Sequence, residues 1–371
     1  MRLFDSWSAL AIGPAGVPAP APVRIQLAAL FGYFREPQGI AYHGGAVVYS
    51  VLAFAMGLAG LFHSNLWLNA GATLLLAHGM TIAAYMVHEC GHNTVFRRIR
   101  HNEYLGRFLT WLCGASYGTF EDIRYKHMRH HVDNDDVVWF DYEKFFLDHP
   151  FALRVTKVLE WFYIPAHDLL MHALLVVGSF VIPARRNQRR RNVAVIIVRA
   201  GLFFLMLWFY PKAALLYCAA YLIMMQVLRF MDSLQHDYPY RLNLYTDERS
   251  PHKGDKAWEQ EHTFSVPLSL RHDWINWLTL NFGFHNAHHA RPTTPWYRLP
   301  EAHRRMYGDD VEAVIPLSRQ FAIFHRGRVK RIIKWDDGAV DARTPTGRDF
   351  LKAAREAQVD GGNAASFLTS F

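Results

Sequence analysis

The sequence predicts an all-α integral membrane protein, with four transmembrane helices in two hairpins and a cytoplasmic helical head that carries a metal site. Two observations support this prediction. Apolar runs and charge runs are segregated along the 371 residues, although the mean hydropathy is only −0.02. Such segregation is typical of a membrane protein with a large polar part. Histidine is abundant, with 21 residues, and it occurs in strings that follow the apolar runs.

Four apolar stretches are the candidates for the transmembrane helices. Residues 46–62 and 66–87 are separated by only three residues, and residues 193–210 and 213–230 flank a Pro-Lys pair. A helix needs about 20 predominantly apolar residues to cross a bilayer. Because each pair is joined by so short a connection, we expect two tight hairpins.

A fifth apolar stretch, residues 161–183, is long enough to cross but contains His167, Asp168 and His172. Short loops rich in arginine lie on the cytoplasmic side of membranes. If residues 161–183 lie in the interface or re-enter the membrane, the polar residues 88–160 and the arginine-rich loop that follows residue 183 are both cytoplasmic. We therefore expect four spans and a cytoplasmic active site, with five spans as the alternative. The loop contains five arginines: Arg185, Arg186, Arg189, Arg190 and Arg191.

No internal repeat or linker divides the chain into independent domains. We expect an N-terminal tail and interfacial segment (1–40), a membrane domain with its cytoplasmic head (41–325) and a C-terminal tail (326–371). The net charge is +8, and the basic residues cluster at the ends of apolar stretches, which favours contact with a membrane surface over nucleic acid. The three cysteines form no disulfide framework or zinc-site pattern.

Three histidine strings carry the functional prediction. Residues four apart on a helix share a face, with Cβ atoms roughly 5–6 Å apart, so each string directs several imidazoles to one region. Chance explains them poorly, because an H-x-x-H-H string is expected roughly 0.07 times in such a chain, and two are present. The eight histidines are His88 and His92; His127, His130 and His131; and His285, His288 and His289.

Eight clustered imidazoles exceed what one metal ion accepts, so the sequence predicts two metals. Imidazole suits iron, zinc and copper alike. Two other classes remain open. The first string also matches the H-E-x-x-H motif of zinc peptidases, in which Glu89 would be the general base, but such a site needs only three ligands. A transporter would place its ligands within the spans, whereas these strings follow them.

The order and spacing of the strings (H-x-x-x-H, H-x-x-H-H, H-x-x-H-H) resemble the membrane fatty acid desaturase superfamily over about residues 40–300. The resemblance implies a non-haem di-iron centre, dioxygen chemistry on an unactivated C–H bond and a lipid or fatty acyl substrate. It also implies an external electron donor of the ferredoxin or cytochrome b5 type. Iron, unlike zinc, can change its oxidation state and activate dioxygen.

The resemblance implies a ninth ligand. In animal acyl-CoA desaturases an Asn-Ser-x-x-His string follows the last span, and its histidine binds iron. Here the string reads Asp-Ser-Leu-Gln-His, which makes His236 the ninth ligand and puts Asp232 in the place of the asparagine. No catalytic residue is expected beyond the metal ligands. Among nearby carboxylates, Asp232, Glu89 and Glu261 are candidates to orient the ligands.

The expected reaction is the desaturation of a fatty acyl chain. The substrate should reach the metals through a narrow apolar tunnel formed by the ends of the second and fourth spans and residues 139–142. The same architecture also supports hydroxylases, monooxygenases and a decarboxylase that forms terminal alkenes. Chain length, head group and position of attack are not encoded in any motif of this sequence.

Overall fold

The computed structural model describes residues 32–238, 241–245, 248–308, 310–333 and 346–362. Most of the predicted N-terminal tail and parts of the predicted C-terminal tail lie outside these ranges. Within them the protein is mostly helical. Its helices are α1 Gly45–Gly60, α2 Leu66–Gly91, α3 Ile99–Leu112, α4 Phe120–Asp133, α5 Tyr142–Asp148, α6 Pro150–Trp161, α7 Ala166–Val181, α8 Arg189–Phe209, α9 Pro211–Asp232, α10 Lys256–Glu261, α11 His285–Ala290, α12 Leu299–Tyr307, α13 Leu317–Gly327 and α14 Gly347–Arg355.

Four helices of the described part are long and apolar enough to cross a membrane, as the sequence predicts. They are Ile40–Gly60, Leu66–Gly91, Pro183–Phe209 and Pro211–Asp232. The first and third begin earlier than their apolar runs, because a π-helical turn precedes α1 and a 3₁₀ turn precedes α8. The ambiguous apolar stretch forms α7, which has only 16 residues and is not among the four.

The first two spans pack closely because glycines line their contact. A Cβ atom added to Gly57 would lie 2.7 Å from the Leu76 nitrogen, and one added to Gly79 would lie 2.9 Å from the Ala53 Cβ. Small residues allow such close approach between membrane helices. Asn65 begins α2, because its side chain accepts hydrogen bonds from two amides of the first turn.

The connection between α1 and α2 meets the connection between α8 and α9. Lys212 Nζ donates to the His63 carbonyl, at 2.5 Å, and to Asn69 Oδ1, at 2.8 Å. The two connections therefore lie at one end of the four helices. The histidine string of α2 follows at its other end.

A buried ion triad attaches α6 and α7 to the fourth span. Arg229 contacts Glu160 at 2.8 Å and Asp168 at 2.9 Å, and all three side chains are at most 7% exposed. Removing one partner of a buried pair strands a charge and costs about 3–5 kcal/mol. The triad therefore holds the short apolar helix α7 beside α9.

The all-α prediction needs one correction, because the described residues include a small parallel sheet. Strand β1 (Asp136–Val138) pairs with strand β2 (Arg241–Asn243). The sheet joins the chain after α4 to the chain after α9. Further on, α13 and α14 close over a second cluster of apolar residues: Leu234, Phe264, Val266, Ile315, Ile323, Phe350, Ala354 and Val359.

Candidate metal centre

The histidine strings lie on three short pieces of helix. His88 is in the last turn of α2 and His92 is the residue that ends it. Helix α4 carries the second string; Thr119 caps its start, and Asn134, with a left-handed φ of 54°, ends it. Helix α11 carries the third string. Each of these helices presents its histidines to the interior, since all eight side chains are buried.

All nine predicted histidines converge, and they form two adjacent groups. The first group contains His88, His92, His127 and His288, and the second contains His130, His236, His285 and His289; the ligand atoms within each lie within 4.8 Å of one another. His131 joins the first group, because its Nε2 lies 3.1 Å from the Nε2 atoms of both His127 and His288. The groups touch, since the rings of His131 and His289 are 4.1 Å apart.

Helix geometry explains how one string serves two groups. The first and last histidines of an H-x-x-H-H string are four apart and share a face, whereas the fourth residue projects to one side. In α4, His127 and His131 enter the first group and His130 enters the second. In α11 the assignment is reversed: His285 and His289 enter the second group and His288 the first. Each string thus contributes two histidines to one group and one histidine to the other.

The spacing of the nitrogens fits metal coordination. Five Nε2–Nε2 distances, within the pairs His92–His127, His127–His131, His131–His288, His130–His236 and His236–His285, are between 2.7 and 3.1 Å. Metal–imidazole bonds are about 2.0–2.1 Å long, so two nitrogens at a right angle around one ion lie roughly 2.9 Å apart. The observed distances match that value.

The protonation of the histidines also fits. Burial lowers the pKa of His127, His131 and His285 well below the ordinary value, and neighbouring histidines lower it further. Neutral imidazole is the form that binds a metal. His130 Nδ1 lies 2.9 Å from the Asp135 carbonyl and His236 Nδ1 lies 3.3 Å from Thr263 Oγ1, which leaves their Nε2 atoms for a metal.

Among the described residues, Glu259 is a carboxylate that contacts ligands of both groups, and the sequence did not single it out. Its side chain is fully buried; Oε1 lies 2.9 Å from His289 Nδ1 and 4.0 Å from His131 Nδ1, so it contacts both groups. The predicted Glu261 is two residues further along α10 and is exposed. Expecting Glu261 in this role was wrong, because a step of two residues on a helix turns the side chain to the opposite face.

The other two predicted carboxylates are buried. Glu89 accepts hydrogen bonds from Thr94 Oγ1 at 2.6 Å and from the Trp296 amide at 3.2 Å, and its Oε1 lies 3.7 Å from His88 Nδ1. It therefore joins the end of the second span to the loop after α11. Asp232 ends α9 and is 1% exposed, four residues before His236.

A small cavity adjoins the first group. It is lined by two of its histidines, by Glu89 and by apolar and aromatic side chains: Tyr85, His88, Glu89, Leu280, Phe282, His288 and Leu299. Tyr85 is 1% exposed, and its hydroxyl has no hydrogen-bond partner among the described residues. The cavity involves the end of the second span, but neither the fourth span nor residues 139–142. The longer tunnel stays a prediction.

Comparison with known proteins points to the same family as the spacing of the histidine strings. Residues 65–321 match the fatty acid desaturase family, a range that contains all nine histidines. The chain belongs to this family. A fatty acid desaturase from Bacillus subtilis (strain 168) is 24% identical to this chain over 253 residues, which cover 64% of the present chain and 67% of the relative.

Membership makes this desaturase-family protein an oxidoreductase of the membrane, with a lipid or fatty acyl substrate. It also decides against the zinc peptidase that the H-E-x-x-H string allowed. A peptidase would need one three-ligand metal, whereas two groups of imidazoles are present here.

Proposed function

We propose that this protein is a di-iron, dioxygen-dependent desaturase that introduces a double bond into a fatty acyl chain with electrons from an external donor. The observation that carries the proposal is the pair of adjacent, buried imidazole groups, one with five members and one with four. Family membership supports the reaction class. Two such groups can hold two metal ions, and we assign both as iron because the activation of dioxygen needs a redox-active metal.

The reaction balances with one external reductant. A –CH₂–CH₂– unit, O₂, two electrons and two protons give –CH=CH– and two molecules of water. The donor must therefore supply two electrons for each double bond. When bound, the iron pair supplies the activation of dioxygen, which no amino-acid side chain can perform.

The protein's own residues have three tasks in this scheme. The histidines hold the ions with neutral nitrogens, and Glu259 fixes the orientation of His289 by accepting a hydrogen bond from its Nδ1. Asp232, which is 1% exposed and lies four residues before His236, remains a candidate to orient the ligands. Leu280, Phe282 and Leu299 keep water from the cavity beside His88 and His288, where we place the reacting methylene groups.

The sidedness of the site is part of the proposal. Arg186 and Arg190 are exposed near the start of the third span. Arginine-rich loops stay in the cytoplasm, so we place the metal centre there. A thiol-reactive probe at Asn187→Cys, in a cysteine-free background, tests this. We expect labelling only after the membrane is opened; labelling of intact cells contradicts the cytoplasmic site.

The reaction itself is tested by lipid analysis. The chain is expressed with a ferredoxin and its reductase in a host without desaturases, and the fatty acids are analysed by mass spectrometry. We expect a new internal double bond that disappears in a His127→Ala, His285→Ala double variant. A hydroxylated chain or a terminal alkene as the main product would instead assign the protein to another branch of the family.

A further inference from the structure

A column of stacked rings connects the protein surface with the second histidine group. The rings of His252 and Trp258 are nearly parallel, with centroids 3.9 Å apart and an angle of 3°. Trp258 stacks on Tyr238 at 5.3 Å, and Tyr238 contacts His236 at 4.4 Å. Tyr238 also lies 5.5 Å from the ring of His130. The column therefore ends on two members of the group.

Burial increases along the column. His252 and Trp258 are half-buried at the surface, and His262 covers Trp258 at a centroid distance of 4.2 Å. Tyr238 and His236 are each 1% exposed. Thr263 Oγ1 lies 3.3 Å from both the Tyr238 hydroxyl and His236 Nδ1, which gives a second, hydrogen-bonded link between the same two residues. The column is thus continuous from solvent to the histidines.

We propose that the face formed by His252, Trp258 and His262 is the docking site of a small one-electron carrier protein, and that the column conducts its electrons to the metals. This inference rests on the proposed function, which requires two external electrons for each double bond. Electron transfer slows steeply with every gap between conjugated groups, and stacked rings leave the smallest gaps. Two successive dockings supply the two electrons of one turnover.

The charges around this face favour an acidic carrier of the ferredoxin type. Lys253 and Lys256 are 49% and 60% exposed, whereas their carboxylate partners Asp133 and Glu259 are at most 1% exposed. The two lysine side chains are therefore partly exposed to solvent, whereas the carboxylates with which they pair are buried. Two acids near this face are exposed: Asp255, whose carboxylate accepts hydrogen bonds from two backbone amides, and Glu261 at the end of α10. With a net charge of +8, the chain attracts an acidic partner.

Electron-transfer complexes are typically small and weak, with less than about 1,200 Å² of buried surface. A face built on three rings and two lysines is sufficient for such an encounter. Electrostatic attraction acts mainly on the association rate. A charge change at the rim should therefore alter how fast the carrier reduces the centre, and this effect should fade at high salt.

The test compares two reductants on the iron-loaded enzyme in nanodiscs. Reduction of the oxidised centre is followed by stopped-flow absorbance, first with a reduced plant-type [2Fe–2S] ferredoxin and then with dithionite. For Trp258→Leu we expect a rate lower by about tenfold with ferredoxin and unchanged with dithionite, because aromatic anchors dominate small interfaces. The control Trp274→Leu removes a surface tryptophan that is 66% exposed and should change neither rate.

A charge variant and a binding measurement complete the test. Glu261→Lys should accelerate reduction by ferredoxin at low salt, whereas Glu301→Lys, a control on α12, should not. Ferredoxin binding to the metal-free protein needs no turnover, and Trp258→Leu should weaken it. Iron content and the thermal midpoint verify that each variant is folded.

Three results would overturn the docking proposal. Equal ferredoxin rates for Trp258→Leu and the wild type would place the docking site elsewhere. Slower reduction with both reductants would show that the column does not serve a protein carrier. Normal reduction with faster self-inactivation would mean that the column removes oxidising equivalents instead. Each leaves the desaturase function intact, which fails only if the wild type forms no double bond.

Discussion

The two histidine groups are built from the same helices, α4 and α11, but their surroundings differ. The first group includes His88 at the end of a membrane span and adjoins the cavity lined by Phe282 and Leu280. The second group includes His236 and adjoins the ring column through Tyr238. One group therefore faces a small cavity that is lined partly by apolar side chains, and the other faces a column of aromatic rings that leads to the surface.

This difference suggests a division of tasks within one centre. The substrate is apolar and comes from the bilayer, so it belongs beside the first group. In the proposed reaction the electrons come from a water-soluble carrier protein, which places their entry beside the second group. Glu259 contacts His131 of the first group and His289 of the second, and it joins the two halves.

The largest effect should come from His236→Ala. Loss of this imidazole leaves three histidines in the second group, so we expect iron content to fall and activity to drop below about one hundredth of the wild type. Metal analysis and lipid analysis measure the two effects. His101→Ala is the control, because His101 contacts Tyr33 and Phe96 and lies in neither group. Near-normal activity in His236→Ala would show that another residue completes the second group.

An intermediate effect should come from the carboxylate that joins the groups. Glu259→Gln removes the charge opposite His289 but keeps the shape, and such a change beside a ligand typically costs 10–100-fold in metal affinity or activity. Glu261→Gln is a matched control on the same short helix and should have wild-type iron content. Competition with a chelator gives both affinities. If the two variants behave alike, Glu259 does not orient the ligands.

The smallest effect should come from Tyr85→Phe, which should change activity but not metal content. The phenol is buried without a hydrogen-bond partner among the described residues, and removing such a hydroxyl is neutral or stabilising for the fold. We therefore expect unchanged iron and an unchanged or raised thermal midpoint, with a several-fold loss of double-bond formation. Tyr49→Phe, whose hydroxyl lies 2.5 Å from His78 Nδ1, is the control. Full activity in Tyr85→Phe would mean that the Tyr85 hydroxyl takes no part in the reaction.

Much of the fold and of the metal site could be predicted because both depend on local periodicity. Apolar length predicts the four spans, and the i, i+4 spacing predicts that each string converges. His236 has no such spacing and was found only through the resemblance to a family. Its position depends on the chain after α9 turning back against Thr263, with which His236 forms a β-bridge.

The remaining features depend on contacts between distant segments. The strands Asp136–Val138 and Arg241–Asn243 have three residues each, too few for an alternating pattern to be visible. The choice between Glu259 and Glu261 depends on how a six-residue helix is rotated, and its sequence contains acids on both sides. The ring column combines residues from the chain after α9, the turn before α10 and α10 itself, so no single stretch of sequence predicts it.

We propose that nine histidines hold two irons in unequal surroundings. The most direct measurement is Mössbauer spectroscopy of the ⁵⁷Fe-loaded protein, combined with iron and protein quantification. We expect about two irons per chain and two distinct signals of equal area, one from the group of five histidines and one from the group of four. One iron per chain, or zinc in its place, would contradict it.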